Sequence, residues 1–551
     1  MKEIWCPTRY SEVKILLSLV AFIAFIGPLG AVSTASPPNI LVILVDNMGF
    51  SDIAPYGGEI ETPHLASLAA NGMCFTQFYN SARCCPTRAA LLTGLHPHQA
   101  GIGHMVKEKA STKDASADAY RGNLNDSCLT LAQAAKSKNY ATYMTGKWHV
   151  AGDDRADWPL QRGFDRYYGN LHGAVHQFTP YGERVMYDGN TPDPAPKSTT
   201  QRAFYTTDAF ADHAARFLTD HFAKTRDQES PQPFFLYVAF TAPHWPLHAH
   251  DEELAKYRDK YLMGWDKLRE QRFARQQASG LIPSSWKLSP RDPDVPAWDS
   301  LSKEKQQQSA SLMSAYAAVI DRLDQNIGNL FQTIKKNKAW NNTLILFLSD
   351  NGACAEGSVI GLGDPVKDRA ALTALQRPSY GKGWANVSST PYRLFKSFAH
   401  EGGSNTPFIA HWPDRIKKHD WYREPAHLID IMPTLLEITG ASYPAELRGK
   451  KLTKLEGVSL TPAFDGSSLP RRQPLCIEHQ NNAFLRDGVW KLVGARVSTA
   501  AGTQRKQWEL YRMDEDGTEL HDLAAAQPEK LRALADQWEA WAQRVGVYPK
   551  K

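Results

Sequence analysis

Residues 40–47 read ILVILVDN. Six consecutive apolar residues, most of them β-branched, make the kind of run that a strand buried on both faces requires. The run then stops at a carboxylate and an amide, Asp46-Asn47. Runs of similar character recur at 141–144, 234–240, 344–348 and 408–410, and all are read as buried parallel strands. Between them, stretches such as 62–71 and 129–136 read as helices. The alternation predicts an α/β fold: a large mixed, mostly parallel sheet flanked by helices.

The residues after each strand point to a site. The first strand runs into Asp46-Asn47, the second into Gly146-Lys147-Trp148-His149, the third into Pro243-His244 and the fourth into Asp350-Asn351. In open α/β sheets, ligands bind beyond the carboxyl ends of the strands. Carboxylates, amides, a lysine and two histidines are therefore expected to converge on one crevice.

The rest of the chain frames that domain. Lys2, Arg9 and Lys14 precede the apolar run 15–26, and small residues fill 31–36. This is the pattern of a signal peptide over 1–35, cleaved near Ala35, and it predicts an exported mature chain. The main domain is expected over 36–469, with an insertion near 251–310. There Leu254, Tyr257, Tyr261, Trp265 and Leu268 predict one amphipathic helix, followed by a loop over 281–299. The insertion either covers the crevice or forms a surface excursion. From about 470 to 551 the pattern changes to short strands at 476–478, 490–493 and 508–511, a turn at Asp516-Gly517 and a helix from Pro528. That predicts a C-terminal α+β subdomain with a smaller antiparallel sheet. A formal net charge of +5 over 551 residues gives no field for nucleic-acid binding. Past the apolar leader, no segment is long and apolar enough for a stable membrane partner. Beyond the leader, the cysteines are 74, 84, 85, 128, 354 and 476, too sparse for a disulfide-built fold.

Residues 81–94, SARCCPTRAALLTG, carry the most specific chemistry. Pro86 suits the first turn of a helix that Gly94 would end. Cys84 would then stand at the N-terminal mouth, where free N–H groups favour an anion, with Arg88 a turn further in. A nucleophile held against an anionic substrate fits this arrangement. So does a pair of buried structural thiols, and from this stretch alone both stay open. A vicinal disulfide would be strained, and a zinc site lacks further Cys or His at ligand spacing nearby.

Taken with the other blocks, Cys84-x-Pro86-x-Arg88 followed by Leu91-Leu92-Thr93-Gly94 resembles the signature of the sulfatase family. Asp46 after its strand, 140–149, Ala242-Pro243-His244, Ser349-Asp350-Asn351-Gly352, and Arg393 to Lys396 with Glu401-Gly402-Gly403 are similar to further family blocks in order. The resemblance implies an alkaline-phosphatase-like fold and hydrolysis of aryl or carbohydrate sulfate esters. It implies that Cys84 is oxidised by a formylglycine-generating maturation enzyme. It also implies one divalent cation, Ca2+ or alternatively Mg2+, held by Asp46, Asn47, Asp350 and Asn351 with residue 84. Asn47 departs from the family, which usually has a second Asp there, so weaker binding or a shift in metal preference is expected. In the implied mechanism the hydrated aldehyde attacks sulfur and forms a covalent sulfo-enzyme. Asp350 helps the nucleophile, His244 protonates the leaving oxygen, and Lys147 and Lys396 neutralise the sulfate. Arg88 steadies the nucleophile, and His149 takes a proton as sulfate is expelled. Cys85 enters only as a neighbour. Phosphate or phosphonate monoester hydrolysis on the same scaffold is the alternative activity, and non-catalytic binding of sulfated glycans the alternative class.

Overall fold

The computed structural model describes residues 36–106, 118–179, 184–194, 196, 203–365, 377–417, 419–495 and 508–548. The expected signal peptide lies outside them. The apolar run at 40–45 becomes part of Asn39–Val45, the strand about which the fold is organised. Its side chains alternate between two cores. Leu41, Ile43 and Val45 join one, and Ile40, Val42 and Leu44 join the other. This is why the run has no polar break: both faces of the strand are covered.

Asn39–Val45 pairs in parallel with Phe234–Ala239 on one side and with Thr343–Ser349 on the other. Ala141–Lys147 adds in parallel beside Phe234–Ala239, and Arg166–Asn170 beside that. Among the described residues the sheet has ten strands. Phe408–His411 corrects the expectation of a parallel strand, because it pairs antiparallel with both Thr343–Ser349 and Met73–Phe75. One face carries the helices Thr206–Thr225 and Lys303–Lys336. The other carries Cys84–Thr93, Leu131–Lys136 and Ile431–Thr439. Among the described residues, no helix is long and apolar enough to cross a membrane.

The segment near 251–310 is not one amphipathic helix. It is Asp251–Tyr257, a 3-10 turn at Lys260–Met263, and Trp265–Ala278. Asp259 and Gly264 break the run with positive φ of 61° and 82°. Nor is it a solvated excursion: Tyr257, Tyr261, Trp265 and Leu268 are buried in the main core. Arg272, wholly buried, reaches Asp52 at 2.8 Å and Glu59 at 2.8 Å.

The C-terminal residues form a four-stranded antiparallel sheet in the order Leu475–His479, Asn482–Asp487, Trp490–Gly494, Glu509–Arg512. The second of these strands had no place in the sequence reading. Helix Pro528–Val545 packs Leu534, Trp538 and Trp541 onto this sheet. The sheet's other face shares a core with Tyr79, Ala82 and Ala399 of the main body. At that seam Lys491 is fully buried between Glu401, at 2.5 Å, and Glu519, at 2.8 Å. Tyr79 donates a further hydrogen bond to Glu401 at 3.0 Å.

Candidate active site

The four central parallel strands end on the same edge of the sheet and deliver their terminal residues to one place. Asp46 and Asn47 follow Asn39–Val45, and Asp350 and Asn351 follow Thr343–Ser349. Lys147 closes Ala141–Lys147, and His244 lies just beyond Phe234–Ala239. Close packing of the backbones makes this edge compact. A Cβ on Gly146 would come within 2.0 Å of Ala239 O, so only glycine fits before Lys147.

Arg88 ties the ends together. It sits on Cys84–Thr93, a helix buried along its whole length and closed by Gly94 at φ 69°. Its guanidinium donates to Asp350 Oδ2 at 2.8 Å, to Asp46 Oδ2 at 3.4 Å and to Lys147 O at 3.0 Å. Lys147 Nζ donates to Asp46 Oδ2 at 2.6 Å. Two carboxylates thus face two fixed cations, all four side chains fully buried, where bonds between charged partners are strongest. Burial acts to raise Asp46, but Lys147, His244 and Arg88 outweigh it and hold the carboxyl low. Asp350 is pushed up, first by burial and then by the Asp46 charge.

The oxygens of this edge fit a hard cation. Asp46 Oδ1 and Asn351 Oδ1 are buried and have no hydrogen-bond donor. Asp350 and Asn47 add a carboxylate and an amide carbonyl. Asn47 adopts φ 71°, a left-handed conformation that Asn tolerates better than most residues. Its N–H donates to Asp350 Oδ1 at 3.1 Å, and its Oδ1 accepts from Asn351 Nδ2 at 2.7 Å. A set of carboxylates and amide carbonyls suits Ca2+ or Mg2+ rather than a soft metal.

Cys84 and Cys85 open the helix. Folding supplies the histidine that sequence spacing did not show: Cys85 Sγ lies 3.3 Å from His149 Nε2. His149 takes φ 54°, and its ring fills the space a Cβ on Gly173 would need, 3.2 Å away. Burial and the Lys147 charge bring His149 down to about 4. A hydrogen bond from Cys85, with Lys147 and His149, outweighs burial and draws the Cys84 thiol well below its ordinary range. Burial pushes Cys85 the other way. The described cysteines are all free thiols.

The Sulfatase family model matches residues 38–441. The chain belongs to the sulfatase family. This sulfatase is 33% identical, over 93% of its length and 94% of the relative's, to an uncharacterized sulfatase of Schizosaccharomyces pombe. It is also 33% identical to the arylsulfatase of Klebsiella aerogenes, over 80% of this chain and 94% of that one. Among solved structures it is similar to Ps i-CgsB in complex with k-i-k-neocarrahexaose, with a TM-score of 0.65 and 24% identity over 92% of each chain. Its activity class is therefore sulfuric ester hydrolysis.

The sulfatase's remaining candidate residues are His244 and Lys396, and His244 lies close enough to Asp46 and Lys147 to share their field. His244 Nδ1 lies 2.6 Å from Trp245 O. A carbonyl only accepts, so the ring proton sits on Nδ1 and leaves Nε2 as the exchanging atom. Burial first, then the Lys396 and Lys147 charges, lower His244 to about 4 against the opposing pull of Asp46. Lys396 Nζ is 3.3 Å from Glu356 Oε1. Glu356 was not singled out from the sequence, yet it gathers the rim. It also accepts from Arg83 NH1 at 3.2 Å and from Trp245 Nε1 at 2.7 Å. The available signal was its place in the loop after Asp350-Asn351. His96 and His98, just beyond helix Cys84–Thr93, turn away to the C-terminal subdomain: His98 pairs with Glu478 at 2.9 Å and His96 lies 3.2 Å from Trp541 Nε1.

Proposed function

We propose that this sulfatase is an exported, formylglycine-dependent enzyme that hydrolyses aryl or carbohydrate sulfate esters with the help of one divalent cation. The observation that carries the reading is the buried net of Arg88, Asp46, Asp350 and Lys147, with one carboxylate and one amide oxygen left without a donor, at the same strand ends as the Cys84 helix mouth. The N-terminal order of basic, apolar and small residues supports export. A maturation enzyme acting on Cys84 is part of the same reading.

A cation held by Asp46, Asn47, Asp350 and Asn351 would supply Lewis-acid polarisation of a sulfate oxygen. Formylglycine at position 84 would supply a hydrated aldehyde whose hydroxyl is a nucleophile toward sulfur. The chain's own residues do the remaining work. Lys147 and Lys396 set ammonium groups against the anionic oxygens, in a site dry enough for those charges to count. Arg88 holds Asp46 and Asp350 in place, so the carboxylates do not have to reorganise during reaction. His244, with its tautomer fixed by Trp245 O, carries a proton at Nε2 to the departing ester oxygen. His149, kept neutral by burial, faces position 84 as a base through Nε2.

Mass spectrometry of the peptide containing residue 84, combined with assays on an aryl sulfate and an aryl phosphate, tests the proposal. The expected result is an aldehyde or its hydrate at 84, sulfate turnover above phosphate turnover, and loss of activity on chelation that Ca2+ restores. Cysteine at 84 in fully active protein would end the formylglycine reading. Faster phosphate turnover would favour the phosphate or phosphonate esterase instead.

A further inference from the structure

We propose that a chain folded with Cys84 still a thiol carries a separate, thiophilic metal site, in which Cys84, Cys85 and His149 hold one zinc-class divalent cation. The ligand atoms of the three residues all lie within 4.8 Å of one another. One of these separations, from Cys85 Sγ to His149 Nε2, is 3.3 Å. Zinc bonds of about 2.3 Å to sulfur and about 2.0 Å to nitrogen, arranged tetrahedrally, need ligand separations of roughly 3.5–3.8 Å. Only small rotations of side chains already in place close that gap. Two thiolates and an imidazole with one open position form a familiar zinc donor set. Burial shields them, with relative exposures of 3%, 0% and 4%.

This set is chemically distinct from the oxygens of Asp46, Asn47, Asp350 and Asn351. Those suit a hard ion, whereas sulfur and imidazole select a softer one. The two sets meet only at position 84, and there the outcome is exclusive. Replacing the Cys84 sulfur by an aldehyde oxygen leaves one thiol and one imidazole, too few to retain zinc. Binding is a proton-for-metal exchange: any proton still on a thiol goes to solvent, each sulfur bonds to the ion, and no electron is transferred. The pair Cys84-Cys85 thus has a use that a lone cysteine could not have, as a site belonging only to unmatured chains.

The test uses the full chain made in a host without the maturation activity, with the Cys84 thiol verified by mass spectrometry. Titration with Co2+ is expected to give one equivalent bound and a thiolate-to-cobalt charge-transfer band. Zn2+ should displace the band and excess Ca2+ should not. Cys85→Ala should abolish it, while Cys476→Ala, a buried thiol outside the trio, should keep it. If Cys85→Ala does not fold, alkylation of the unsubstituted chain decides, in urea just below its unfolding transition where local opening exposes the buried thiols: Zn2+ should slow iodoacetamide labelling of Cys84 and Cys85. No band, a band that survives Cys85→Ala or is lost in Cys476→Ala, or alkylation unchanged by Zn2+ would overturn the proposal. Because every arm uses the thiol form, the result is independent of sulfate turnover by matured protein.

Discussion

Arg88 makes three directed bonds, to two carboxylates and a carbonyl, from a position with no access to water. A lysine keeps the charge but not the fork. Arg88→Lys is therefore expected to lower kcat/KM on an aryl sulfate on the order of 100-fold or more, as losing one preorganised donor does. A smaller effect in steady-state assays would show that the carboxylates hold their places without it. His244 makes a different kind of prediction. If its Nε2 protonates the leaving oxygen, His244→Ala should slow alkyl sulfates far more than p-nitrophenyl sulfate, whose leaving group needs little help. Equal losses across leaving groups would remove the general-acid role. At this scale much was legible, because Asp46 follows its apolar run directly and Lys147, His244 and Asp350 come within four residues of theirs. Cys85 beside His149 and Glu356 beside Arg83 were not legible, because each pair is separated along the chain and joined only by the packing of different elements.

Elements carry the next level of argument. Helix Pro528–Val545 docks on the main body through a clamp at Glu456, which pairs with Arg544 and lies 3.4 Å from His96. Burial acts to raise Glu456, but its bonds to His96 and Arg544 bring it down from 4.5 to about 2. A carboxylate with a lowered folded-state value stabilises the fold above its ordinary value and loses that contribution as the pH falls toward the lowered one. Glu456→Gln should thus cost ~0.5 kcal/mol at neutral pH, a small value because Arg544 is half exposed and screened. The difference from the parent chain should shrink between pH 4.5 and 2. Thermal melts across that range check it, and a constant difference would count against the clamp. The central strands were legible from their apolar runs, but their directions were not, and the short, mixed runs of Asn482–Asp487 and Arg166–Asn170 were missed. Residues 408–411 have the same buried composition as their parallel neighbours, and nothing local records that they run the other way. The helix expected over 254–268 was broken by turns at Asp259 and Gly264, whose positive φ overrides a continuous apolar spacing.

For the whole molecule, the C-terminal sheet is part of the fold's interior rather than an attachment. Lys491 is fully buried with Glu401 on one side and Glu519 on the other. Removing the cation leaves two buried carboxylates facing each other, and breaking such a pair costs ~3–5 kcal/mol. Lys491→Met is expected to destabilise the chain by about that amount in urea unfolding, and a loss below about 1 kcal/mol would mean that the seam relaxes around it. The order of the sheet also has a consequence in time. Asn39 must wait for Phe234–Ala239 and then Thr343–Ser349 before either flank is filled. A ribosome adding roughly 5–20 residues per second leaves ILVILV without its neighbours for on the order of ten seconds or more. Such an uncharged, β-prone segment is liable to pair with other chains while it waits. The same delay is useful at residue 84, which is only 3% exposed once the sheet has closed. On the proposed formylglycine reading, the interval before closure is the period in which a maturation enzyme would find that residue open.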